Sequence, residues 1–172
     1  MGANTSSLLS EEIEEMARES DLTPKEIKRL YKRFQKLDRN QSGTLEPEEL
    51  TMIPELAMNP LVPRIVTFFE NVNFREFVKL LSVFAENADH EEKLKFAFRF
   101  FDVDNDGYLN TSDLNEILHL LCGDNLKAEE LDEIVQIIIQ DADMDKDGKL
   151  SFVDFKSSVT LSNMTDMLSI VF

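Results

Sequence analysis

Apolar residues recur at helical spacing in several segments of this chain, and a short acidic segment follows each of them. The first begins with Thr23, Pro24 and Glu26, which suit an N-cap, a first helical position and a capping box. Apolar positions then recur every three or four residues in this and two later segments, at Ile27, Leu30, Tyr31, Phe34 and Leu37, at Leu94, Ala97, Phe98 and Phe101, and at Leu131, Ile134, Val135 and Ile138. We expect these stripes to form the core of an all-α protein.

The repeating unit is an apolar helix, an acidic loop and a second apolar helix. A polar connector at residues 86–89 separates two such pairs. We therefore predict four regions, which are an N-terminal segment at 1–21, an N-lobe at 22–87, a C-lobe at 88–160 and a tail at 161–172. The apolar residues of the tail either join the core or cover an apolar groove.

Three of the acidic loops have oxygen-bearing residues at alternating positions around a glycine. Ca²⁺ needs six to eight oxygen ligands, which a short loop supplies from positions 1, 3, 5, 7, 9 and 12 with glycine at position 6. The residues at these ligand positions are Asp38, Asn40, Ser42, Thr44, Glu46 and Glu49 in the first loop, Asp102, Asp104, Asp106, Tyr108, Asn110 and Asp113 in the third, and Asp143, Asp145, Asp147, Lys149, Ser151 and Asp154 in the fourth. Thr44, Tyr108 and Lys149 would contribute their backbone carbonyls.

Position 8 is leucine in all three loops, at Leu45, Leu109 and Leu150. Acidic turns are common, but a glycine and a leucine in register three times are not expected by coincidence. The pattern predicts an all-α EF-hand fold, with two lobes of paired helix-loop-helix hands and short β-bridges between their loops. It also predicts three Ca²⁺ sites.

Two of the loops end in aspartate rather than glutamate, at Asp113 and Asp154. The shorter side chain reaches the ion with both oxygens only if the exiting helix moves inward. One hypothesis is that these two sites bind Ca²⁺ less tightly than the first or carry Mg²⁺, which tolerates lower coordination. The alternative is that the helix adjusts and affinity hardly changes.

The second unit keeps its helices but has lost most of its loop. Only residues 70–73 separate the apolar segment at 65–69 from Phe74. Too few positions remain for the alternating ligands and the glycine, so we predict a metal-free hand. Val72 can still pair with Leu45 of the first loop.

Composition narrows the functional classes. With 34 acidic and 18 basic residues the net charge is −16, which disfavours nucleic-acid binding. Cys122 is the sole cysteine and no apolar run approaches about 20 residues, so we expect a cytoplasmic protein. His90 and His119 lie in no catalytic motif, which argues against an enzyme.

The N-terminus matches the pattern M-G-x-x-x-[ST], which predicts N-myristoylation at Gly2. A single myristoyl chain anchors weakly, and the acidic residues at 11–15 oppose anionic lipid. We expect weak or transient peripheral membrane contact, or a lipid packed on the protein itself. The alternative is an ordinary unmodified terminus.

Segments between the loops resemble calcineurin B, and the likeness spans roughly residues 22–160. They are KRFQKLD at 32–38, PEL at 54–56, NPLV at 59–62, KLKFAFR at 93–99 and GDNLK at 123–127. The resemblance implies the regulatory subunit of a calcium- and calmodulin-dependent Ser/Thr phosphatase. Proteins of this family hold an amphipathic helix of the catalytic subunit in an apolar groove, and they meet calmodulin indirectly through the holoenzyme.

The chain departs from that family at the shortened second loop, at Asp113 and Asp154, at residues 11–19 and in the tail. Two other functions remain open. One is a regulator of a membrane transporter or channel, as in calcineurin B homologous proteins or neuronal calcium sensors, and the other is a calcium buffer. Both of these families often have a disabled first loop, whereas the first loop is the best preserved here, which favours calcineurin B.

Overall fold

The computed structural model describes residues 9–85 and 87–159, except for the side chain of residue 55. Within this range the secondary structure is helical, in agreement with the predicted fold class. The helices are α1 (Ser10–Glu19), α2 (Pro24–Leu37), α3 (Pro47–Thr51), α4 (Pro54–Ala57), α5 (Val62–Phe69), α6 (Phe74–Ser82), α7 (His90–Phe101), α8 (Thr111–Cys122), α9 (Ala128–Ala142) and α10 (Phe152–Ser158), with a 3-10 turn at Gly123–Asn125. None of these described helices has the length and apolar character needed to cross a bilayer.

The chain divides into two compact units. Unit 1 comprises the residues up to Ala57 together with Val66–Asp89, and unit 2 comprises Met58–Ile65 and the residues from His90 onward. The segment Met58–Ile65 therefore packs with the later part of the chain, although it precedes the second hand. Gly2 and the tail at 161–172 lie outside the described residues.

Unit 1 is built around the apolar face of α2. Thr23 caps the helix as predicted, because its backbone N–H donates to Glu26 Oε2 at 2.7 Å and its Oγ1 accepts from Glu26 N at 3.3 Å. The ring of Phe34 lies 5.5 Å from that of Phe74 and 5.4 Å from that of Phe77, both edge-on, which joins α2 to α6.

The acidic segment near the N-terminus forms a docked helix, α1, which was not predicted from the sequence. Ile13 and Met16 of α1 are buried in a cluster with Ile27 and Val78. On its outer side Arg75 donates to Glu15 and Glu19 at 2.8 Å each. These ion pairs are half-exposed and stabilise little, so burial of the two apolar side chains dominates the docking of α1.

Unit 2 has a larger core, to which each of its four main helices contributes. Its buried residues are Leu94, Ala97, Phe98, Leu109, Leu114, Val135, Ile139, Ala142, Leu150 and Phe155. The ring of Phe98 packs edge-on against Phe152 at 5.6 Å and Phe155 at 5.5 Å, so the entering helix of one hand contacts the exiting helix of the other. This packing positions both loops of the unit.

Two residues predicted to be core are exposed. Ile134 and Ile138 of α9 are each 37% exposed, and the intervening Ile137 is 58% exposed. The prediction was wrong because α9 carries apolar residues on more than one face. Its buried face is formed by Leu131, Val135 and Ile139, which leaves the other isoleucines facing away from the core of unit 2.

Candidate metal centres

In each of the three long loops, the first aspartate draws the chain around itself by hydrogen bonds. Asp102 Oδ1 accepts from Asp106 N at 3.1 Å, and its Oδ2 accepts from Gly107 N at 3.0 Å. Asp38 and Asp143 accept from the same two loop positions, at Ser42 and Gly43 and at Asp147 and Gly148. In each loop the backbone is thereby curved around the carboxylate of its own first aspartate.

The glycine at position 6 makes the sharp turn possible. Its φ is +88° at Gly43, +85° at Gly107 and +87° at Gly148, a left-handed conformation that glycine adopts without the steric cost of a Cβ. The three turns have nearly the same geometry, as expected if they serve the same purpose.

Carboxylates converge in two of the loops. Ligand oxygens of Asp102, Asp104 and Asp106 lie within 4.8 Å of one another, and so do those of Asp143, Asp145 and Asp147. The hydrogen bond between Asp143 and Asp145 raises the pKa of Asp145. Carboxylates so close together repel one another unless a proton or a cation is shared, so these donor sets fit a hard divalent ion.

The first loop offers a less charged set at the same positions. Only Asp38 is acidic among positions 1, 3 and 5, since Asn40 and Ser42 follow it. Ser42 Oγ donates to the carbonyl of Thr44 at 2.9 Å, so it lies beside the predicted ligand at position 7. Glu46 and Glu49 bring further carboxylates to this loop.

The residue at position 12 closes each loop in the same way whether it is glutamate or aspartate. Its carboxylate accepts one hydrogen bond from the N–H of position 2 and another from the N–H of position 9. The distances are 2.7 and 3.1 Å for Glu49, 3.1 and 2.9 Å for Asp113, and 3.1 and 2.9 Å for Asp154. The exiting helices α8 and α10 therefore stand close enough for the shorter side chain to reach both ends of the loop.

The two loops of unit 2 are joined by a short antiparallel bridge. Leu109 and Leu150 exchange two backbone hydrogen bonds of 2.8 Å, and both side chains are buried. Beside the bridge, Lys149 Nζ lies 3.4 Å from the centre of the Tyr108 ring, a cation–π contact that the loop pattern does not predict. The residues at position 7 thus also link the two loops through their side chains.

The short loop at residues 70–73 keeps this pairing in unit 1. Leu45 N donates to Val72 O at 3.0 Å, and Asn71 N donates to Leu45 O at 2.6 Å. Glu76 forms a capping box with Asn73, in which Asn73 N donates to Glu76 Oε2 at 2.9 Å. The predicted contact between Val72 and Leu45 is present, and Glu76 caps α6.

Comparisons with known proteins agree with this geometry. The family model described as an EF-hand domain pair matches residues 91–160, and one described as an EF hand matches residues 23–53. The calcineurin B protein of Naegleria gruberi is 45% identical over 175 residues, which cover 99% of each chain. The chain belongs to the calcineurin B family.

Other relatives extend this family match to distant organisms. The type 2 calcineurin B protein of Dictyostelium discoideum is 42% identical, with 100% of this chain and 98% of the relative covered. The calcineurin B protein of Schizosaccharomyces pombe is 40% identical, with 94% and 95% covered. The chain is accordingly a calcium-binding EF-hand protein of the calcineurin B type, and not an enzyme.

In unit 1, Glu49 closes the first loop, whereas Glu76 of the second hand forms a capping box with Asn73. We expect Glu49→Gln to remove one bound Ca²⁺ per chain in equilibrium dialysis, because it removes the charge of the closing carboxylate. Glu76→Gln is the matched control. It should leave the number of bound ions unchanged, and loss of an ion in that variant would contradict the assignment of a metal-free second hand.

Proposed function

We propose that the calcium-loaded chain is the regulatory subunit of a calcineurin-type protein phosphatase and binds an amphipathic helix of the catalytic subunit. Calmodulin would act on it only indirectly, through the holoenzyme. The observation that carries this proposal is the set of apolar side chains left exposed on α8 and α9 of unit 2. They are Leu121 at 40%, Ile134 at 37%, Ile137 at 58% and Ile138 at 37% exposure.

The spacing of these residues suits a partner helix. Ile134 lies three and four residues before Ile137 and Ile138, so the three side chains neighbour one another on the surface of α9. Large contiguous groups of exposed apolar residues mark protein-binding surfaces. A partner helix with apolar residues at i, i+3, i+4 and i+7 would bury them.

The exposed isoleucines separate this function from one of the two other candidates, the calcium buffer. A pure calcium buffer has no need of exposed isoleucines on a helix. A regulator of a transporter or channel would also use an apolar surface, but the retained first loop and the family membership favour the phosphatase.

The partner surface can be tested by adding charge to it. We expect Ile137→Glu to weaken copurification with the calcineurin catalytic subunit at least tenfold. The partner helix would bury the isoleucine, and the variant would place an unpaired carboxylate at that point of the interface. Met58→Glu is the control, since Met58 is 87% exposed and lies outside α8 and α9. Equal loss in both variants, or none in Ile137→Glu, would contradict the proposal.

We further propose three Ca²⁺ sites, formed by the ligand residues assigned above to the first, third and fourth loops, with Mg²⁺ competing at the third and fourth. Asp at position 12 has less reach than Glu, and loss of its bidentate contact favours the ion with six ligands. The hydrogen bonds of Asp113 and Asp154 show how far the exiting helices already approach, which limits the size of this effect.

Calorimetry on Asp113→Glu and Asp154→Glu tests the competition. We expect each substitution to tighten Ca²⁺ binding at its own loop and to reduce the displacement of Ca²⁺ by millimolar Mg²⁺, because the longer glutamate side chain can bring both of its oxygens to the ion. Unchanged affinity for both ions in both variants would refute Mg²⁺ competition and leave the three Ca²⁺ sites intact.

A second proposed role is peripheral membrane contact, and a feature of α2 supports it. Six of the 18 basic residues of the chain lie on this helix, and all six are exposed: Lys25, Lys28, Arg29, Lys32, Arg33 and Lys36. At about 100° per residue they fall within an arc of roughly 140°. Myristate on Gly2 and this basic face would be the two signals that stable anchoring requires.

Vesicle sedimentation of the acylated chain tests this second role. Reversing Lys28 and Lys32 to Glu should weaken binding to phosphatidylserine-containing vesicles at least tenfold, since each basic residue near an anionic surface contributes about 1 kcal/mol. Reversing Lys79 and Lys127, which are exposed elsewhere, is the control with the same change in net charge. Equal effects of the two double variants would show that α2 has no special part.

A further inference from the structure

A buried arginine in unit 2 holds the end of the helix that enters the third loop. Arg64 lies on α5 and only 8% of it is exposed. Its Nε donates to Phe100 O at 2.8 Å, and its Nη2 donates to Arg99 O at 2.8 Å and to Asp102 O at 2.7 Å. The last carbonyls of a helix have no hydrogen-bond donor within the helix, and they carry partial negative charge. A cationic donor such as Arg64 supplies the missing hydrogen bonds and balances that charge.

The third of these carbonyls belongs to the first ligand residue of the third loop. The carboxylate of the same residue, Asp102, accepts the N–H groups of Asp106 and Gly107 and so organises the turn. Arg64 therefore fixes the main chain of a residue whose side chain is a predicted Ca²⁺ ligand. In the described part of the chain, no side chain donates to the carbonyl of Asp38 or of Asp143, which occupy the same position in the other two loops.

We propose that Arg64 is a positioning residue that strengthens Ca²⁺ binding at the third loop by holding the end of α7 and the main chain of Asp102 in place. This inference rests on the three-site metal binding proposed above. Residues that orient a metal ligand from outside the coordination sphere commonly change affinity by about 10- to 100-fold.

A simple charge effect would act in the opposite direction. The guanidinium is attracted to Asp102 and Asp113, two predicted ligands, and a nearby cation repels an incoming one. If charge alone mattered, removing Arg64 would strengthen Ca²⁺ binding at the third loop. If positioning dominates, as we propose, removal weakens it.

The glycines at position 6 allow each loop to be followed separately. Gly43, Gly107 and Gly148 each donate a backbone N–H to the first aspartate of their own loop. In an NMR titration of the full chain with Ca²⁺, we expect Arg64→Gln to raise the midpoint of the Gly107 resonance at least tenfold and to leave those of Gly43 and Gly148 within about twofold. Arg64→Lys, which keeps the charge but has fewer donors, should raise it less.

Arg99→Gln is the control for charge, because Arg99 is exposed and lies near the same helix end. It should leave the Gly107 midpoint unchanged or lower it. The inference is overturned if Arg64→Gln leaves the Gly107 midpoint unchanged, lowers it, or shifts all three midpoints together. If Arg64→Gln does not fold, Arg64→Lys decides the question. The inference is then overturned if Arg64→Lys leaves the Gly107 midpoint unchanged, lowers it, or shifts all three midpoints together. Absence of any Ca²⁺ response in the unsubstituted chain would instead refute the metal sites themselves.

Discussion

A twelve-residue loop can surround an ion only when its two ends are held together, and in this protein a single carboxylate does so. The residue at position 12 stands in the first turn of the exiting helix and accepts N–H groups from positions 2 and 9. Because it belongs to the helix, the orientation of that helix and the shape of the loop are set together. The same contact is made by Glu49, Asp113 and Asp154. A shorter side chain is accommodated by a closer helix, and the loop keeps its form.

The second constraint is that hands are stable in pairs. In unit 2 the pairing is carried by Leu109 and Leu150, which exchange backbone hydrogen bonds between two metal-competent loops. In unit 1 the partner of the first loop is only a short connection, yet Leu45 still bonds to Val72 and Asn71. The short second loop therefore keeps the backbone bridge, although it has too few positions for the predicted set of alternating metal ligands. Docking of α1 against α2 and α6 adds apolar burial to this unit.

The surfaces of the two units have different chemistry. In unit 1, α2 buries Ile27 and Phe34 and presents a basic face, although the whole chain is strongly acidic. In unit 2, α9 buries one apolar face and leaves Ile137 and its neighbours exposed. Each surface is the outer side of a helix whose inner side builds the core. Core formation alone therefore leaves these residues on the outside, where they are accessible to other molecules.

The amino-acid sequence by itself determined the helical hands and the family, and it predicts the ligand positions and a metal-free second hand. These depend on local spacing, such as glycine between alternating oxygen donors, or on a count of residues that is too small for a loop. Only the tertiary structure decided which faces are buried and which distant groups meet. Ile134 and Ile138 fit a core stripe by spacing, but a helix with apolar residues on several faces is buried only where a partner packs. Arg64 reaches the third loop across 38 positions of the chain, a contact that no local pattern encodes.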